Sequence, residues 1–293
     1  MEKIALFLMT QKGYEVLQAF VENIGTQYID CVIGSRDPNV LNDYYEEISQ
    51  LCKAKNVKFY NRKENYTLNS DYFFAISWRW LIKNLQDRLI VLHDSILPKY
   101  RGFAPLVTAL INGENRIGVT ALFANQDFDR GDIIDQSVIE INYPIKINDA
   151  IKKISQCYNH LVIQIAQKII SGEQISPRRQ EEKVASYSLW LDEKDYNIDW
   201  GRDATFIKRF IDSVGYPYKG ASTIIDKRKV RILDVEVEED VPIENRTPGK
   251  VLFVKNGYPI VVCGKKLLKI MHAIDDETKQ SVLPLKKFRV RFE

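Results

Sequence analysis

Cysteine is scarce in this 293-residue chain, with Cys31, Cys52, Cys157 and Cys263 far apart and no CxxC pair. That argues against a disulfide scaffold and a thiolate zinc site. Cys31 and Cys263 lie in apolar runs, and Cys52 and Cys157 in helical patterns, so buried free thiols are expected. Histidine is scarcer: His93, His160 and His272 fall in unrelated segments without ligand spacing, and no metal is expected. No sign of charge dominates, since 42 Lys and Arg meet 39 Asp and Glu. Composition therefore offers no support for a nucleic-acid partner. No apolar run approaches membrane-spanning length, and the one behind Met1-Glu2-Lys3, about seven residues, is too short for a signal sequence. No membrane partner and a cytoplasmic setting are expected. No GxGxxG follows the first strand pattern, Thr10-Gln11-Lys12-Gly13 is no phosphate-cradling P-loop, and no Ser or Cys sits in a nucleophile elbow. There is no internal repeat or low-complexity tract.

What is present is a regular alternation. Apolar runs at 3–9, 29–33, 57–60, 72–76 and 89–92 read as strands, and 14–23 and 41–54 between them have helical spacing. This alternation predicts an α/β domain with a doubly wound, mostly parallel, Rossmann-like sheet. Strands are also expected at 119–124 and 133–141. A helix over 147–170 keeps Ile151, Ile154, Tyr158, Leu161, Ile165 and Ile169 on one face. Gly172 and Pro177 stop it, and Arg178–Lys183 reads as an exposed charged linker. The boundary is placed there: 1–177 as the catalytic domain, 178–293 as a smaller one. The latter shows a helix over 204–214 capped by Asp203, then short strands at 222–226, 229–235, 249–254, 258–263 and 266–271. That pattern predicts a mainly antiparallel, OB-like β domain.

The chain is organised around residues 92–134. The run Leu89-Ile90-Val91-Leu92 delivers His93 to a strand's carboxyl end, where open parallel sheets place their ligand crevice. The 119–124 strand ends in a turn carrying Asp127, Asp129 and Asp132. His93 and Asp129 are expected to face each other across one cleft. A neutral imidazole takes a proton or steadies an oxyanion, and a carboxylate orients it. Without an activated Ser or Cys, direct transfer to a bound acceptor suits the pair better than covalent catalysis.

His93-Asp94-Ser95-Ile96-Leu97-Pro98-Lys99-Tyr100-Arg101-Gly102, then Gly118-Val119-Thr120 and Phe128-Asp129-Arg130-Gly131-Asp132-Ile133-Ile134, resemble the 10-formyltetrahydrofolate-dependent formyltransferase family. Segments 192–200, 210–221 and 249–252 resemble the C-terminal module of methionyl-tRNA formyltransferase and its amino-sugar relatives. The resemblance implies the formyltransferase fold, N10-formyltetrahydrofolate as formyl donor, and His93 and Asp129 as catalytic residues. It assigns the donor to Ser77, Trp78, Arg79, Trp80 and Leu81 and to Asn125, Gln126, Asp127 and Phe128, with Trp80 or Phe128 walling its ring. Lys99 and Arg101 would meet phosphate or the folate glutamate tail, and Gly102 would permit close backbone approach. The chain departs from the family at Val91, where Asn would help hold the formyl oxygen. Substitutes considered are Ser95, Asn125, Gln126 or a backbone N–H. A different acyl donor or acceptor, or a weak site, would also accommodate the change.

The acceptor divides the family. Loops 10–13, 77–80 and 93–95 look like those of N-formyltransferases acting on nucleotide-linked amino sugars of surface glycan biosynthesis. There a UDP- or dTDP-4-amino-4,6-dideoxyhexose takes the formyl group, Lys12 and Arg79 would contact its pyrophosphate, and Ser95 would lie at the substrate. Methionyl-tRNA formyltransferase is the alternative, with a non-catalytic folate-binding homologue as the third reading. A homodimer is compatible with each.

Overall fold

The computed structural model describes residues 2–82, 85 and 88–293. Two compact units emerge: Met1–Leu106, Asn115–Ile141 and Asp149–Leu189 form the first, and Val107–Glu114, Asn142–Asn148 and Trp190–Glu293 the second. By packing, the first unit thus continues twelve residues past the boundary expected at 177/178, because the supposed linker is tied into it. Arg178 exchanges both backbone hydrogen bonds with Ile133, at 2.7 and 2.8 Å.

In chain order the first unit contains β1 (Ile4–Leu8), α1 (Thr10–Asn23), β2 (Ile29–Gly34), α2 (Tyr45–Ala54), β3 (Phe59–Asn61), β4 (Tyr72–Ile76), β5 (Leu89–His93) and β6 (Arg101–Gly102). Then come α3 (Pro105–Asn112), most of which belongs to the second unit, β7 (Arg116–Phe123), β8 (Ile133–Glu140), α4 (Ile147–Ser171) and β9 (Tyr187–Ser188). A seven-stranded sheet has the order β3-β2-β1-β4-β5-β7-β8. The five strands from β3 to β5 run parallel, whereas β7 is antiparallel to β5 and β8 to β7. Ile4, Ala5, Leu6, Phe7 and Leu8 are all essentially inaccessible, as a strand covered on both faces requires. Helix α4 buries Ile147, Ala150, Ile151, Ile154, Tyr158, Leu161, Ile165 and Ile169, the three-to-four stripe read from sequence. Helix α2 starts at Tyr45 rather than near Leu41. Asp43 and Asn42 bend the preceding turn by accepting from the backbone N–H of Tyr45 and Tyr44, each at 3.1 Å.

The second unit holds α5 (Ala204–Val214), β10 (Ala221–Ile225), β11 (Arg228–Glu238), β12 (Val251–Lys255), β13 (Tyr258–Val262) and β14 (Leu267–Asp275). Asp203 caps α5 by accepting from Thr205 N at 2.7 Å, and Ile207, Ile211 and Val214 point inward. The strands pair antiparallel in the order β10-β11-β14-β13-β12. The final residues join the two edges. Ile224 and Glu293 exchange backbone bonds of 2.9 and 3.0 Å, Phe292 N donates to Gly249 O at 2.8 Å, and Val251 N donates to Val290 O at 3.2 Å. Both edges that would otherwise be open to another chain are thereby paired. The four cysteines are free and buried. Burial pushes the Cys31, Cys52 and Cys263 thiols up to about 12, which keeps them protonated and inert at neutral pH. No helix among the described residues is long and apolar enough to cross a membrane.

Candidate active site

Strand β5 is apolar until its last residue, His93, which is 7% exposed. Its Nε2 lies 2.8 Å from the Tyr100 carbonyl oxygen. A carbonyl only accepts, so Nε2 carries a proton in this arrangement. Nδ1 lies 3.4 Å from Asp129 Oδ1, and Asp129 Oδ2 accepts from Gly102 N at 2.8 Å. The expected His93–Asp129 pair is therefore in contact, largely shielded from water.

Asp129 does not arrive by the simple route. Because β7 is antiparallel to β5, Thr120 lies opposite His93 and Phe123 opposite Ile90. The end of β7 therefore lies beside the start of β5, where Ala124 N donates to Leu89 O at 2.8 Å. The loop must fold back to bring Asp129 to His93. Asp129 adopts a left-handed φ of 57°. A Cβ on Gly131 would lie 1.7 Å from Phe123 O, so only glycine allows this reversal. Gly102 has φ 99°, and a Cβ there would meet Ser188 O at 2.6 Å. The expected close backbone approach at Gly102 is thus to the chain's own β9.

Lys12, on the first turn of α1, is 12% exposed and pairs with Asp94 Oδ2. Asp94 Oδ1 is bound by the Tyr158 hydroxyl, which also lies 3.2 Å from Leu92 O. An ammonium on one rim of the sheet is thus anchored to the residue that follows His93. Arg79 reaches the buried Asp37 at 2.7 Å. Thr10 Oγ1, Ser77 Oγ and Trp78 Nε1 are buried without a hydrogen-bond partner. Thr10 and Ser77 also hold φ near 60°, at 61° and 54°, a costly conformation for residues with a Cβ. Unpaired buried donors and strained backbone at neighbouring strand ends are what a polar ligand would satisfy.

The remaining candidates fall into different settings. Trp80 packs edge-on to Trp78 at 5.2 Å and carries the Arg62 guanidinium 4.1 Å above its ring, while Leu81 is exposed. Asn125, Gln126, Asp127 and Phe128 form an exposed stretch. Asn125 Oδ1 accepts from Asp127 N at 3.0 Å, and the Phe128 ring lies 6.4 Å from that of Phe103. Lys99 is exposed. Two assignments change. Ser95 is buried and its hydroxyl donates to Lys99 O at 2.7 Å, so it shapes the loop. Arg101 is inaccessible, its guanidinium gripped by Glu182 and Gln180 at 2.7–3.1 Å; with no open face it offers nothing to a phosphate. Val91 packs against Leu97, Leu122 and Ile133, so no donor stands at that position. The unpartnered Trp78 indole packs on a different apolar cluster, that of Phe7, Phe73, Ala75 and Leu89, which Val91 also borders. Asp94, Tyr158 and Gln180 were not singled out by sequence. Asp94 adjoins His93, but Tyr158 shows only core periodicity and Gln180 only a polar run. Among the described residues no group of three His, Cys, Asp or Glu is arranged to hold a metal.

A sheet-end imidazole held against a carboxylate, on the rim that bears unsatisfied polar groups, suits proton transfer, and comparison with known proteins supplies the class. Residues 68–182 match the formyl transferase family and 191–285 its C-terminal domain. The methionyl-tRNA formyltransferase of Thermodesulfovibrio yellowstonii is 30% identical, over 81% of this chain and 76% of that protein. That of Clostridium novyi is 32% identical over 62% of this chain but only 57% of its own length. The chain belongs to the formyl transferase family. An N-formyltransferase from Helicobacter canadensis, solved with folinic acid and dTDP-3-aminofucose, shares the fold at TM-score 0.70 and 20% identity, covering 92% of this chain and 99% of that one.

Proposed function

We propose that this protein moves a formyl group from N10-formyltetrahydrofolate to the amine of a nucleotide-linked amino sugar, of the UDP- or dTDP-4-amino-4,6-dideoxyhexose class. The observation that carries the reading is the shielded His93–Asp129 pair, 3.4 Å apart, on the rim that also bears Lys12 and the unpartnered Thr10, Ser77 and Trp78 groups. The amine nitrogen bonds to the formyl carbon as the bond from that carbon to N10 breaks. His93 gives up Tyr100 O and presents Nε2–H to the formyl oxygen as charge develops there. Nε2 then gives its proton to N10 as the carbon–N10 bond breaks and takes up in its place the proton the amine loses, while Asp129 holds the ring at Nδ1. Trp78 Nε1–H, buried without a partner, is the donor we assign to the place of the missing Asn. Ser77–Leu81 and Asn125–Phe128 receive the folate, and Lys12 with Arg79 the pyrophosphate, each exchanging its present carboxylate partner, Asp94 or Asp37, for a phosphate oxygen. Support for a sugar acceptor comes from the neighbour solved with a dTDP-amino sugar and from a net charge of only +3, small for a tRNA-binding surface.

The sequence relatives favour a second reading, methionyl-tRNA formyltransferase. Incubation with 10-formyltetrahydrofolate and a panel of UDP- and dTDP-amino sugars alongside Met-tRNA separates the two. Formamide on a sugar is expected; formylation of Met-tRNA alone would replace the first reading with the second, and product from neither would leave a folate-binding homologue.

A further inference from the structure

Gln180 lies in the stretch that sequence reads as an exposed linker, yet its side chain sits beneath the Asp129 loop. Its amide nitrogen donates to Asp129 O at 2.7 Å and to Gly131 O at 2.8 Å. Its Oε1 accepts from Arg101 Nε at 3.1 Å and from a terminal guanidinium nitrogen at 2.9 Å. Arg101 is inaccessible and is held in turn by both oxygens of Glu182, at 2.9 and 2.7 Å. The fork leaves the Gln180 amide no freedom to flip, because its oxygen must face Arg101 and its nitrogen must face the loop. The same stretch reaches the histidine's partner: Tyr100 N donates to Ser186 Oγ at 3.0 Å, and Tyr100 O is the group bound by His93 Nε2.

We propose that Gln180, oriented by Arg101 and Glu182, is a positioning residue for Asp129. It pins the left-handed turn that carries the carboxylate back from the end of β7, and so sets how that carboxylate meets His93. Two carbonyls are held on either side of the reversal, at Asp129 and Gly131. Without both donors, the carbonyls on either side of the reversal lose their side-chain restraint, and the turn is held by Gly102 N on the carboxylate and by the outlying Arg130–Tyr187 contact. The proposal rests on the formyl-transfer reading for its effect on turnover, but not for its effect on the imidazole.

Gln180→Glu isolates the donors, since it keeps the shape and the acceptor for Arg101 but removes both N–H groups. The carboxylate then faces two carbonyl oxygens. Displacement of a reacting group by about 1 Å costs on the order of 100-fold in rate. The expected result is a kcat lower by roughly 10- to 100-fold, with KM for donor and acceptor within about twofold. The His93 imidazole nitrogen resonances, assigned through His93→Asn, should also shift in the ligand-free protein. Gln180→Met, which also drops the acceptor for Arg101, should show both effects and a lower melting temperature. Unmoved resonances with kcat retained in Gln180→Glu would overturn the proposal, whatever happens to stability. Shifted resonances in a protein whose wild type formylates nothing would leave the positioning role standing and refute the proposed reaction instead.

Discussion

Two sets of buried polar groups in this molecule are treated in opposite ways. At the strand ends of the first unit, Thr10 Oγ1, Ser77 Oγ and Trp78 Nε1 are buried without partners. In the second unit the buried Arg231 binds Asp276 at 2.9 and 3.0 Å, Glu193, and Gly220 O at 2.9 Å. The buried Trp200 there donates to Thr223 Oγ1 at 3.0 Å. An unpaired buried polar group costs about 1–3 kcal/mol, whereas a satisfied one is neutral or mildly favourable. Arg231 and Trp200 therefore serve the architecture of the β domain, and the sheet edge of the first unit holds hydrogen-bonding capacity in reserve. Polar residues of similar type serve opposite ends, and only the partners tell them apart.

The largest expected break in this contrast is Arg231→Met. Removing the buried guanidinium leaves Asp276 with Lys279 and Glu193 with Lys219 and Lys229, so the cost is that of the lost charged hydrogen bonds, about 1.5–3 kcal/mol. Denaturant unfolding should show that loss, while kcat at a temperature where the protein stays folded should be unchanged. A fall in kcat without a loss of stability would place Arg231 in the wrong category.

A smaller effect concerns pH. Hydrogen bonds from Arg231 hold the Asp276 carboxyl down, from 3.8 to about 2. A depressed folded-state value contributes stability that is fully present above the unfolded value and is lost as pH falls toward the folded one. Melting temperature followed from pH 5 to 2 should drop across the window between about 4 and 2, and Asp276→Asn should flatten that drop. An unaltered profile in the variant would show that this carboxylate does not drive acid unfolding.

The smallest stability effect, and the sharpest in sign, belongs to Thr10→Val. Deleting an unpartnered buried hydroxyl from a shape that valine preserves should leave stability unchanged or raise it by about 1 kcal/mol. KM for a substrate should meanwhile rise about tenfold, the equivalent of one lost hydrogen bond. A destabilised protein with unchanged KM would mean that the hydroxyl has a structural partner after all.

These contrasts mark the limit of what sequence could reveal. The apolar run ending in His93, the α4 stripe and the Asp203 cap of α5 follow from periodicity and local hydrogen bonding, and all are legible. The reversal of β7 is not, because an eight-residue apolar strand reads the same in either direction. Arg101 and Gln180 escaped for a related reason. A charged residue in a loop is ordinarily solvated, and the partner that buries Arg101, Glu182, lies 81 positions away. The His93–Asp129 contact was expected from a motif, whereas the fold-back loop and the strap that make it are tertiary.

The central claim is that His93, held by Asp129, assists the direct transfer of a formyl group from N10 to an amine. A single-turnover measurement with isotopically labelled 10-formyltetrahydrofolate tests it most directly, using whichever amino-sugar nucleotide the panel identifies and comparing the wild type with His93→Asn. The account predicts label in a stable formamide on the sugar for the wild type, and a rate lower by about 100- to 1000-fold in the variant with folate binding retained. Full transfer by His93→Asn would contradict it.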